Sequence, residues 1–186
     1  MSKLKQLLYS DLARQFELEG RSDVRPTFFG FVCRLPHPRF LPIVLCRGSR
    51  WAMLHGIPVV PRLLTYLNII LFGLEVSPRC EIGPGIFFPH TSGTVIGASR
   101  IGNRVTVFQG VTLGAKALDM GFNSVLRPEV GDSVLLGAGC KVLGGIRIGD
   151  NVTVGANSVV VDSIMPNTTV AGIPAREVVS TARGSR

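Results

Sequence analysis

Three histidines occur among the 186 residues, and His90 is the only one beyond the first third of the chain. It directly follows Pro89, and Glu75 precedes it by fifteen positions. An imidazole whose Nδ1–H is held by a carboxylate keeps Nε2 free to accept a proton. His90 and Glu75 are therefore a candidate general base and its orienting acid. The competing explanation is a satisfied structural histidine and a solvated acid at a strand end.

The other reactive side chains suggest no second chemistry. Cys33, Cys46, Cys80 and Cys140 contain no CxxC pair, which fits free thiols in a reducing cytosol. One histidine in the second part of the chain cannot supply a three-histidine zinc site, even with another from a neighbour, so no metal is expected. The N-terminal MSKLKQLLYSDLARQFELEG breaks its short apolar stretch with Asp11 and Arg14 and has no secretory core. Leu63–Leu74, the most apolar run, is short of the roughly 18–20 residues that span a bilayer. The expected location is the cytoplasm, including the inner face of its membrane.

The formal net charge of +8 is unevenly placed. Residues 1–72 hold ten Lys/Arg against four Asp/Glu, and residues 73–186 hold ten against eight. Such a balance favours an anionic partner, an acidic headgroup or a phosphorylated cofactor, or else is a solvated helical surface. No run of five basic residues occurs and aromatics are 7% of the chain, so nucleic acid is not expected. With 46% hydrophobic and 17% charged residues the chain is too apolar for disorder.

What must position His90 is a repeat. From Val130 the chain reads VGDSVL, LGAGCK, VLGGIR, IGDNVT, VGANSV, VVDSIM, with an aliphatic residue every six positions from Val130 to Val160. A small or aliphatic residue follows four places later, as at Val134, Cys140 and Val152. Upstream the same phase runs through Val76, Ile82 and Phe88, slips by one residue at HTSGTV, and resumes at Val95, Ile101, Val107 and Leu113. Six is three times the strand period, so the marked side chains share one side of an extended backbone. Short strands with Gly, Asn and Asp between them turn at each unit. Three flat faces per coil give a triangular β-solenoid with the aliphatic ladder inside.

Residues 73–166 are expected to form this solenoid, with 115–128 as a loop projecting from it and 167–186 as a C-terminal extension. Residues 1–72 lack the six-residue pattern. Leu4, Leu7, Leu8 and Leu12 fit a helical face, as do Arg39–Leu54 and Arg62–Phe72. They read as a helical cap over the raw edge of the first coil. FFGFVCRLPHPRF and Trp51 are expected chiefly in the core, with peripheral membrane contact through residues 28–72 as the alternative.

GLEVSPRCEIGPGIFFPHTSGTVIG, then VFQGVTLGAK, then GAGCKVLGGIRIGDNVTVGANSVV and GIPAR together resemble the left-handed parallel β-helix acyltransferases. Within these the chain is most similar to serine acetyltransferases and their polysaccharide-modifying relatives. The resemblance covers about residues 60–178, and the left-handed coiling comes from it rather than from spacing. It implies an acetyl-CoA-dependent O-acetyltransferase in which His90 takes the proton from an acceptor hydroxyl and Glu75 orients it. A backbone N–H near Gly114 or Ala115 would hold the oxyanion. The pantetheine arm would run along Ala138, Gly139 and Ala156, and Lys116 and Arg176 would meet the CoA phosphates. Sites would lie between neighbouring subunits of a homotrimer.

The acceptor end departs from the serine-specific pattern. Pro89 stands where an acid usually precedes the catalytic histidine, and Leu126–Arg127–Pro128 stands where Arg-His-Pro is usual. Pro89 and Arg127 thus mark the acceptor subsite, with a sugar hydroxyl of a surface polysaccharide or its precursor as the expected substrate. L-Serine is the alternative, Arg127 being able to meet a carboxylate, and a non-catalytic trimeric scaffold is the third reading.

Overall fold

Glu129 pairs with Arg147, Leu135 with Thr153 and Lys141 with Val159, each eighteen residues apart and parallel. That repeat closes one triangular coil. The computed structural model describes residues 3–178 and shows a left-handed parallel β-helix preceded by helices. Strands are numbered along the chain. Face A holds β1 (Leu74–Val76), β3 (Thr94–Ile96), β6 (Thr112–Gly114), β9 (Lys141–Leu143) and β12 (Val159–Val160). Face B holds β2 (Glu81–Ile82), β4 (Arg100–Ile101), β7 (Glu129–Val130) and β10 (Arg147–Ile148). Face C holds β5 (Thr106–Val107), β8 (Leu135–Leu136), β11 (Thr153–Val154) and β13 (Thr169–Gly172), the last paired antiparallel with β14 (Ala175–Glu177).

The ladder fills the interior as the period requires. Ile82, Ile101, Val130 and Ile148 line it from face B, and Leu113 and Val142 from face A, all buried. The slip near His90 is larger than the spacing suggests. Val95, expected in the interior, faces outward at 37% exposure, and Ile96 at 1% takes its place. The turn in which Thr94 N–H donates to Thr91 O sets Thr94 and Ile96 inward. The corner after Ile96 is one residue short, so Ile101 regains the column. The projecting segment shows in the register: Thr112 pairs with Lys141, twenty-nine residues on.

Four helices precede the solenoid: α1 (Lys3–Leu18), α2 (Phe28–Arg34), α3 (Leu41–Leu54) and α4 (Val60–Phe72). Of these, α2 lies where the sequence suggested only an apolar segment; the Thr27 hydroxyl accepts from Gly30 N–H and starts it. Phe31 packs beside Leu12, Phe16 and Phe40, whereas Phe28 and Phe29 remain 74% and 77% exposed. The buried face of α1 also differs from the leucine stripe, since Asp11, Leu12, Gln15 and Phe16 are the residues enclosed.

The polar members of that face explain how the helices close the first coil. Arg47 on α3 donates from Nε to Asp11 Oδ2 at 2.9 Å and from its two Nη atoms to the Ile82 and Gly83 carbonyls. Asp11 Oδ1 in turn accepts from the Gly85 and Ile86 N–H groups. Arg50 donates to the carbonyls of Pro78, Arg79 and Cys80. A first coil has no coil beneath it, and these side chains satisfy backbone groups that would otherwise be buried unpaired. No helix among the described residues is long and apolar enough to cross a membrane.

Candidate active site

The corner leading from face C to face A stacks four turns on one another. Gly93 N–H donates to Gly73 O, Gly110 to Ser92 O, Gly139 to Gln109 O and Asn157 to Ala138 O, at 2.8–3.0 Å. Small residues let these turns nest: a Cβ on Gly139 would stand 2.2 Å from Asn157 Oδ1. His90 enters the lowest of these turns and is exposed. Its neighbours fix it from two sides, Arg39 Nε donating to Pro89 O at 3.3 Å and Thr91 Oγ1 to Phe72 O at 2.8 Å. Ala138, Gly139 and Ala156 lie higher in the same corner and reach the surface. The structure thus brings His90 into one line with the three small residues.

Glu75 lies round the corner on face A, exposed, in register with Val95 and one residue past Leu74, the partner of Thr94. Within the single chain no hydrogen bond or ion pair joins the described side chains of His90 and Glu75. Glu75 instead edges a cavity of about 760 Å³ between the α3–α4 connection, face A and the projecting loop. Gly114 and Arg127 also line that cavity, and His90 does not. The position beyond the Gly114 Cα is open, with nothing within 4 Å of where a Cβ would stand. Ala115, half-buried, starts the loop.

Arg127 is held inside the loop. Its Nε donates to Asp119 Oδ2 at 3.0 Å, its Nη2 to Asp119 O, and its Nη1 to Gly97 O. Its guanidinium also lies 4.2 Å from the centre of the Phe122 ring. Desolvation pushes the Asp119 carboxyl up, but the Asn123 N–H and Arg127 outweigh it and hold it below the ordinary value. The loop crosses the solenoid over Gly145, where a Cβ would meet the Val125 carbonyl oxygen at 2.0 Å. Arg62 and Arg79, which the sequence reading passed over, share the cavity wall. The prolines at 58, 61 and 78 beside them mark bends but not what the bends face.

Lys116 and Arg176 converge on one segment. Lys116 Nζ donates to Val161 O at 3.0 Å, and Arg176 reaches Asp162 at 3.7 Å. Lys116 stands where the face A strands end, whereas Ala138 and Ala156 stand where they begin, so one chain keeps the two groups apart. Another residue overlooked by the six-residue pattern is Gln109, in the corner column, whose buried Oε1 has no partner. Cys46, Cys80 and Cys140 are each pushed up to about 12 by burial, which leaves no activated thiol among them. Among the described residues no group of three or more His, Cys, Asp or Glu is placed to hold a metal.

Known proteins share this architecture. The family model for bacterial transferase hexapeptide (six repeats) matches residues 127–162. A serine acetyltransferase of Synechococcus elongatus is 41% identical over 150 residues, 80% of this chain and 60% of that protein. Soybean serine acetyltransferase complexed with serine superposes with a TM-score of 0.80 at 32% identity, over 94% of this chain and 69% of that one. A serine acetyltransferase in complex with CoA gives 0.79 at 28% identity, over 94% of this chain and 69% of that one. The chain spans about 60% of the length of the curated relative it matches.

Proposed function

This chain belongs to the hexapeptide-repeat transferases, in their serine acetyltransferase-like group, and from that premise we propose that it transfers acetyl from acetyl-CoA to the hydroxyl of L-serine. The observation that carries the reading is the corner column, which sets His90 in line with Ala138, Gly139 and Ala156. A narrow pantetheine arm laid along those small residues ends its thioester beside the imidazole.

His90 Nε2 takes the proton from the serine Oγ as that oxygen attacks the thioester carbonyl carbon. Glu75 accepts a hydrogen bond from Nδ1–H, stays ionised and stabilises the imidazolium. The backbone at Gly114–Ala115, with open space before it, meets the oxyanion. Collapse of the tetrahedral intermediate breaks the carbon–sulfur bond, and His90 returns its proton to the CoA thiolate. Lys116 and Arg176, cationic and exposed, answer the CoA phosphates. No acyl-enzyme forms.

The two halves separated within one chain meet between copies in a homotrimer, the loop of one against the corner column of the next. The outer rows favour that arrangement. Face B shows Glu81, Arg100, Glu129 and Arg147 outward in successive coils, suited to water. Faces A and C instead expose Val95 and Leu135, each 37%, and are left for subunit contact.

A sugar hydroxyl remains the second reading, on one set of observations. Pro89 supplies no acid, Arg127 has all three nitrogens engaged, two by Asp119 and one by the Gly97 carbonyl, and the 760 Å³ cavity far exceeds a serine. Exposed Phe28, Phe29 and Ile70 suit a lipid-linked form of that acceptor at a membrane surface. Release of free CoA with L-serine against a panel of sugars decides between them. Turnover of serine alone upholds the proposal; turnover of a sugar with none of serine replaces it.

A further inference from the structure

A second cleft lies away from His90, between α1, α3 and face B of the solenoid, with a volume of about 270 Å³. Its walls are apolar: Leu4 and Leu7 come from α1, Trp51 and Leu54 from α3. Trp51 is 39% and Leu54 65% exposed, so the cleft opens to water. The Trp51 ring is held, with the His55 ring 4.4 Å away and His55 Nδ1 donating to Trp51 O at 2.8 Å.

Charge at this cleft is unbalanced. Arg47 and Arg50 also reach it, but Arg47 is paired with Asp11 and Arg50 is engaged by three carbonyls. Lys3 and Arg100 lie on its rim, and among the described residues neither side chain has an ion pair or hydrogen bond. Glu81 is the one unpaired acid there and sits beside Arg100 in the strand register. Two free cations against one acid, over an apolar wall, suit a single negative charge on a hydrophobic body. A polyphosphate would find too few cations, and a neutral lipid would leave both unanswered.

We propose that this cleft binds a small monocarboxylate with an apolar body, its chain against Trp51 and Leu7 and its carboxylate between Lys3 and Arg100. The volume accommodates a ligand of about ten non-hydrogen atoms, at the small end of ligand pockets. None of the residues assigned to acetyl transfer lines it, so the site stands whether or not that assignment does.

Trp51 is the only tryptophan in the chain, which makes its fluorescence a local reporter. Titration of the full-length protein with octanoate should give a saturable change, and octanol, the same length without charge, should bind at least about tenfold more weakly. The double variant Lys3→Ala, Arg100→Ala removes two exposed cations and should weaken octanoate by about tenfold or more with its circular dichroism unchanged. Absence of a saturable signal overturns the proposal. So does octanol binding as tightly as octanoate, or a double variant that binds octanoate like the parent.

Discussion

Arg127 and Asp119 close the projecting loop on itself, the guanidinium meeting the carboxylate at 2.9–3.0 Å with side chains only 12% and 9% exposed. The projecting loop is therefore a locked element. Arg127→Ala should let residues 115–128 open and speed their cleavage in limited proteolysis by roughly tenfold, the equivalent of one charged hydrogen bond. Arg127→Lys should not rescue it, because a point ammonium cannot make the three divergent contacts. Unchanged proteolysis in Arg127→Ala would show that the ion pair does not hold the loop.

A second ion pair carries the joint between helices and solenoid. Asp11→Asn leaves Arg47 4% exposed and without its counter-charge. The expected loss is about 3–5 kcal/mol of unfolding free energy, read as a lower urea midpoint. A loss below about 1 kcal/mol would mean that the cap docks without it.

His90→Ala should lower acetyl transfer by on the order of 10²–10⁴, the range for a general base. The residue is exposed, so the unfolding midpoint should stay where it is. Glu75→Gln should cost less, because the base remains and only its orientation suffers. A decrease smaller than tenfold for His90→Ala would remove the histidine from the mechanism.

Subunit mixing tests the shared site. His90→Ala and Lys116→Ala chains, each impaired alone, should regain activity when unfolded and refolded together. With random assembly about a quarter of the sites combine an intact corner with an intact loop from its neighbour. No recovery on mixing would place both halves of each site within one subunit.

Thiol labelling offers a simple check on the core. Cys33 is exposed, whereas Cys80 and Cys140 are buried and Cys46 is nearly so, and those three thiols are pushed up to about 12. One fast-reacting thiol per native chain is expected, and four after denaturation. Two or more fast thiols would mean that the helical cap or the solenoid opens.

The repeat was readable because it is local chemistry. A six-residue step keeps side chains on one side of an extended chain, and Gly, Asn and Asp mark the turns, so thirteen units announce a coil before any coordinate is known. The same rule misplaces Val95, since the turn at Thr91–Gly93 and the shortened corner after Ile96 nearly cancel in the count. Likewise α2 escapes notice, because two of its aromatic residues stay in water.

Residue types singled out His90 and Glu75, and the resemblance to a known family pointed to the small residues at 138, 139 and 156. What they could not supply was distance. Only stacking, through hydrogen bonds between backbones eighteen or more residues apart, puts His90 in one corner column with Ala138 and Ala156 and leaves Lys116 at the far end of face A. Only docking of the helices pairs Asp11 with Arg47 and encloses the cleft beside Trp51. Periodicity is written along the chain, whereas contacts across coils depend on how many residues each turn and loop inserts between them.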